Sequence, residues 1–191
     1  MEKLADFIRS LFNSTFKTNP YLERGLLTGI TRVSKESSAY GNFKDALIAG
    51  DLDYMNQFMN QVALQTFSSF DIGNKPSEEQ EPERFYHGFV LGLIVDLAEK
   101  YRITSNRESG FGRYDVVMEP LKENLDAIVM EFKVQNMTKE KSLEQTVENA
   151  LCQINEKEYD TELFARGIKK ERIRHYGFAF RGKKVLIGTE E

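Results

Sequence analysis

The segment LDAIVMEFKV (125–134) most constrains what this chain can fold into. Its β-branched and large apolar side chains make it a strand, and so apolar a strand belongs at the centre of a sheet. Glu131 and Lys133 interrupt its end. Side chains alternate along a strand, so these two share one face while Met130, Phe132 and Val134 share the other. A carboxylate and an ammonium buried there are costly unless they pair or hold a metal ion.

The elements around this strand can be read in order. Residues 2–14 place Leu4, Phe7, Ile8, Leu11 and Phe12 at helical spacing, and Asn19-Pro20 stops the pattern. Gly25–Val33 reads as a buried strand or a short apolar segment, and residues 34–42 as a polar, turn-rich stretch. Helices are expected over Phe43–Ala49 and from an Asp51 cap towards Phe67. Gly73–Pro82 is polar, with two prolines and a run of acids, and reads as a linker. It divides the chain into residues 1–75 and 76–191. Beyond it come a helix over Glu83–Tyr101, strands over Arg102–Asn106, Arg113–Met118 and Leu125–Val134, and a helix over Lys139–Glu156. A second helix to about Ala165 and strands over Ile173–Phe180 and Lys184–Ile187 complete the order, with turns at Gly110–Gly112 and Gly182. The class is α/β, a mixed central sheet flanked by helices with a helical N-terminal region.

A net charge of −4 does not advertise nucleic-acid binding, so such a function needs a local basic patch. Cys152 is the single cysteine and His87 and His175 the only histidines, which leaves no internal disulfide and no zinc cluster. The N-terminus lacks the pattern of a signal peptide, and Phe85–Ala98 is too short and too interrupted to span a bilayer. A cytoplasmic protein without a membrane segment is expected.

Asp115 lies on the strand before Glu131, between Tyr114 and the apolar pair Val116-Val117. Adjacent antiparallel strands would bring Asp115 and Glu131 onto one face, where two carboxylates repel unless a cation sits between them. Hard oxygen ligands suit Mg²⁺ or Mn²⁺, and Lys133 would supply positive charge for a phosphate oxygen or the attacking water. The same residues also allow a plainer reading, with Asp115 ending its strand and Glu131 and Lys133 forming a solvent-facing ion pair.

The runs FYHGFVLGLIVDL (85–97), SNRESGFGRYDVVME (105–119), DAIVMEFKV (126–134), ALCQINEKEY (150–159) and HYGFAFRGKKVLIG (175–188) weigh on this choice. Together they resemble the nuclease-like domain of the PD-(D/E)XK superfamily, in the form that follows an AAA-ATPase-like domain in many bacterial proteins. The resemblance covers residues 83–188 and implies a restriction-endonuclease-like fold. It implies that Asp115 is the aspartate of the motif, that Glu131 and Lys133 are its (D/E)xK part, and that Gln153 is a polar residue near the site. It carries Tyr159 over less directly, since this residue stands farther from Gln153 than in the commonest form of that motif. Glu83 matches an acidic metal-binding residue that some members carry on the first core helix, with Glu81 as the alternative.

Other candidates carry two readings each. His87 either reaches the site or is a hydrogen-bonded helix histidine. Arg107 and Arg113, flanking Gly110-Phe111-Gly112, either grip phosphates or solvate a hairpin. Cys152 reads as a small packing residue. Arg166, Lys169, Lys170, Arg172, Arg174, Arg181, Lys183 and Lys184 form either a DNA-backbone surface or a solvated, charge-rich end.

The stretch FNSTFKTNPYLERGLLTGITRVSKES (12–37) resembles the C-terminal portion of the AAA-ATPase-like domain, and residues 38–70 the helical connector to the nuclease-like domain. No GxxxxGK[ST] occurs, so ATPase activity is not expected, and the chain reads as a shortened form. Leu26, Leu27 and Ile30 would then pack on the nuclease-like domain or pair with another copy in a homo-oligomer. The function expected is metal-dependent hydrolysis of DNA. The alternative is a catalytically inactive module that binds nucleic acid or protein.

Overall fold

The computed structural model describes residues 38–67, 81–109 and 112–190. The expected helix over 2–14, the segment 25–33 and most of the linker lie outside the described residues.

The apolar strand β3 (Ala127–Val134) occupies the middle of a five-stranded sheet. Strands β1 (Tyr101–Ser109) and β2 (Gly112–Pro120) form an antiparallel pair on one side, and β2 runs antiparallel to β3. On the other side, β4 (Ile173–Arg181) is parallel to β3, and β5 (Lys184–Gly188) turns back antiparallel on β4. The sheet is therefore mixed, as its element order implied.

A parallel pair needs a crossover, which the helix α4 (Leu143–Glu156) supplies. Ser142 caps it by accepting the Gln145 N–H. Its Val147, Leu151 and Ile154 pack with Val117, Ala127, Val129 and Ala179 of the sheet. A Cβ at Gly177 of β4 would lie 2.9 Å from the Val147 carbonyl and 3.2 Å from Ala150 Cβ. Glycine at that position lets α4 lie close on the sheet, which carries Gln153 within reach of β3. After α4 the chain adds a short helix, α5 (Thr161–Ala165).

Three helices cover the opposite face: α1 (Ser38–Ala49), α2 (Leu52–Thr66) and α3 (Glu81–Ile94). Phe43, Leu47, Met55, Met59, Tyr86 and Val90 share one core with Ile128, Met130, Phe132, Phe178 and Phe180. The strand alternation read from the sequence thus divides β3 between two cores. Asp51 caps α2 as expected, accepting the Tyr54 N–H at 3.0 Å.

Several boundaries differ from the sequence reading. The helix α1 begins at Ser38, within the stretch expected to be turn-rich. The helix expected over Glu83–Tyr101 starts at Glu81, where Pro82 fits a first turn, and becomes a 3₁₀ segment over Val95–Glu99 before β1. The helix expected from Lys139 begins only at Leu143, because Glu140 folds back to hold the turn before it. Both strands of the first hairpin run longer than expected, pairing Tyr101 with Pro120 at one end and Ser109 with Gly112 at the other.

Candidate active site

Glu131 and Lys133 stand near the C-terminal end of β3 on the face covered by α4, the face of Ala127 and Val129. Glu131 is 3% exposed, and its Oε1 lies 3.7 Å from Lys133 Nζ. The paired register between β2 and β3 includes Val117 opposite Val129 and Val116 opposite Met130, and stops one step short of Asp115. There the side chain takes over: Asp115 Oδ2 accepts the Phe132 backbone N–H at 2.8 Å. Asp115 alternates to the same face as Val117, and its carboxyl is close enough for Glu131 to feel its charge.

Gln153 joins the group from α4. Its Oε1 accepts Lys133 Nζ at 2.6 Å, and its Nε2 donates both to Glu131 Oε1 and, at 2.9 Å, to the Tyr159 hydroxyl. Tyr159 reaches Gln153 despite the wide spacing because the chain reverses after α4. Glu158 takes a left-handed φ of 51°, and Tyr159 N bonds back to the Ile154 carbonyl.

The electrostatics follow from packing carboxyl groups together away from water. Burial pushes the Glu131 carboxyl up to about 8, the charges of Asp115 and Glu83 push the same way, and Lys133 opposes them. Asp115 is also raised by burial, against the Phe132 hydrogen bond and the influence of His87 and Lys133. Glu83, on the first turn of α3, is raised by burial and then by the charge of Asp115, so it lies within electrostatic range of the pair. Glu131 Oε2 is buried without a hydrogen-bond partner. Among the described residues no three His, Cys, Asp or Glu side chains form a metal cage. A divalent ion that keeps several waters needs only one or two carboxylates, and an oxygen of Glu131 is free for one.

His87 takes the hydrogen-bonded outcome. Asn106 Nδ2 lies 3.2 Å from His87 Nδ1, which therefore accepts, and Nε2 donates to Ser105 Oγ at 2.9 Å. Asn106 itself has φ 51°, a conformation asparagine tolerates better than most residues. Ser105 and Asn106 have no counterpart in the sequence reading. The nearest signal was the SNRE run at the end of β1.

The basic C-terminal stretch is not one surface. Arg166 pairs with Glu119 and Glu162, while Arg172 and Arg174 both grip Asp126 at the start of β3. Arg181, Lys183 and Lys184 lie at the other end of β4, roughly 26 Å away at the usual strand rise. Cys152 is exposed rather than packed, and its thiol donates to Glu156 Oε1 at 3.3 Å. The side chains of Glu81, Arg107 and Arg113 lie outside the described residues.

Residues 81–190 match the family model described as the PD-(D/E)XK nuclease superfamily. No curated protein and no solved structure matches the chain. Among the described residues, no helix is long and apolar enough to cross a membrane.

Proposed function

Because the chain belongs to the PD-(D/E)XK nuclease superfamily, we propose that it hydrolyses DNA phosphodiester bonds with a divalent metal held by Asp115 and Glu131. The observation that carries this reading is the meeting of Asp115, Glu131 and Lys133 at one end of the central strand, with a Glu131 oxygen left unpartnered. Glu83, within electrostatic range, is a further candidate for the outer part of the metal site. Bound Mg²⁺ or Mn²⁺ supplies a Lewis acid for a phosphoryl oxygen and acidifies a bound water.

The protein groups have separate tasks. Phe132 N–H holds the Asp115 carboxylate beside Glu131. Gln153 ties Glu131 and Lys133 to α4, so that neither drifts when substrate enters. Lys133 keeps its ammonium partly exposed, where it neutralises charge developing on a phosphate oxygen. The same reading takes residues 1–75 as the remnant of an ATPase-like domain with its helical connector, able to pair with a second copy, in a cytoplasmic protein.

Incubation with linear, circular and branched DNA in Mg²⁺ or Mn²⁺ tests the proposal. Cleavage is expected, with Glu131→Ala and Lys133→Ala each lowering the rate by about 10²-fold or more. Undiminished cleavage by either variant sinks the assignment. Salt-dependent binding with no cleavage under either metal would instead mark an inactive nucleic-acid-binding module.

A further inference from the structure

The strand that carries Glu131 and Lys133 does not pass directly into α4. Residues 135–142 form a turn held by hydrogen bonds on both sides, with Gln135 Oε1 buried and unpartnered. Gln135 N donates to the Phe180 carbonyl at 2.8 Å, fixing the start of the turn to β4. Asn136 Oδ1 accepts both the N–H and the hydroxyl of Thr138, at 3.0 and 2.6 Å. The Glu140 carboxylate accepts Asn136 N at 2.9 Å, Thr146 Oγ1 at 2.8 Å and Asn149 Nδ2 at 2.6 Å. The acid of the loop is thus used internally.

What the loop presents outward has a different character. Met137 is 67% exposed. Lys139 and Lys141 are exposed, and neither side chain makes an ion pair among the described residues. The turn follows the strand that carries Lys133, and its Glu140 feels the Lys133 charge, so the two lie within electrostatic range of each other. Duplex DNA has the chemistry that suits both kinds of side chain. Its backbone carries a negative charge for every ~1.7 Å of axis, and its grooves admit methionine as an apolar wedge. A single exposed methionine is too small an apolar patch to anchor a protein partner.

Resting on the nuclease reading above, we propose that the 135–142 loop docks in a groove of duplex DNA, with Lys139 and Lys141 on backbone phosphates and Met137 against the base steps. The loop's fixed geometry means that it binds without first being ordered, which reduces the entropic cost of docking.

The full chain is titrated in EDTA, where metal-dependent cleavage is absent, against a short duplex carrying 2-aminopurine. Lys139→Gln/Lys141→Gln is expected to weaken binding at least about fivefold at low salt and to cut the slope of log K against log salt by about 1.8. Met137→Ala is expected to keep the salt slope and lose the rise in 2-aminopurine fluorescence that reports unstacking. Unchanged thermal melting of both variants shows that the fold is intact, since these side chains are exposed. Affinity and slope equal to the parent protein's in the lysine variant overturn the proposal, as does a parent protein that binds no duplex. Glu131-dependent cleavage with loop-independent binding overturns the docking loop alone. Loop-dependent binding without cleavage under Mg²⁺ or Mn²⁺ supports the docking loop and overturns the nuclease reading.

Discussion

Phe132 gives its backbone N–H to the carboxylate of Asp115, at 2.8 Å, where main-chain pairing between β2 and β3 has just ended. A strand N–H left without its ladder partner would be costly to bury, and Asp115 satisfies it with a side chain. Held there, the Asp115 carboxylate is close enough for Glu131 to feel its charge. One contact therefore closes the edge of a ladder and brings two acids together.

Replacing Asp115 changes Glu131 in a defined direction. Burial is the first cause of the raised Glu131 carboxyl, and the Asp115 charge the second. Asp115→Asn removes that charge while leaving an amide oxygen for Phe132 N–H. The Glu131 titration, followed by carbon NMR of its carboxyl, is expected to move down from about 8 and to stay above the 4.5 of an ordinary glutamate, because burial persists. An unmoved Glu131 titration would mean that the two acids do not share a field.

Glu131 also makes a prediction for stability against pH. Its carboxyl titrates near 8 in the folded chain and near 4.5 when exposed, so the native state holds the extra proton between those values. Stability falls as pH rises wherever the native state binds more protons. In EDTA, urea unfolding is expected to show the parent protein losing stability from about pH 5 to pH 8 relative to Glu131→Gln, which cannot ionise. The pH-dependent part of the difference should reach about a few kcal/mol by pH 8 and be small near pH 4.5. Mg²⁺ at pH 8 should recover much of it, by binding the ionised form. A difference that stays flat from pH 5 to 8 would show that Glu131 titrates normally.

The parts of the site that were legible in the sequence are those governed by period. Alternation along LDAIVMEFKV placed Glu131 and Lys133 on one face, and the order of elements placed Asp115 on the neighbouring strand. Gln153 and the Glu83 candidate came from resemblance, since nothing local joins an α4 glutamine to a strand lysine. The Phe132 N–H was illegible because every non-proline residue carries the same donor. The link between His87, Ser105 and Asn106 depends on how α3 lies against β1, which no local pattern encodes. The two readings of the basic stretch stayed open for a simpler reason: residues close in sequence become distant when an extended strand lies between them.

Asn56 and Asn60 provide the last prediction, and they too escaped the sequence reading, which took from this helix only its cap and its extent. Asn56 donates to the Ile187 carbonyl at 2.9 Å and accepts the Ile187 N–H at 2.8 Å. Asn60 does the same for Val185, at 2.7 and 3.0 Å. The geometry works because two spacings nearly coincide. Four residues along a helix advance about 6 Å, and two along an antiparallel strand about 6.8 Å. The two amides therefore act as a short substitute strand along the outer edge of β5, where unpaired backbone groups would otherwise invite another chain. Asn60→Ala removes two of these bonds, and Asn56→Ala/Asn60→Ala all four. Each substitution is expected to cost about 1–3 kcal/mol in urea unfolding. The double variant should also exchange its Val185 and Ile187 amide protons faster and aggregate more readily on warming. Leucine substitutions, which keep the bulk but not the pairing, should fail to restore either property. If they restore both, α2 covers β5 by packing alone and the amide pairing is incidental.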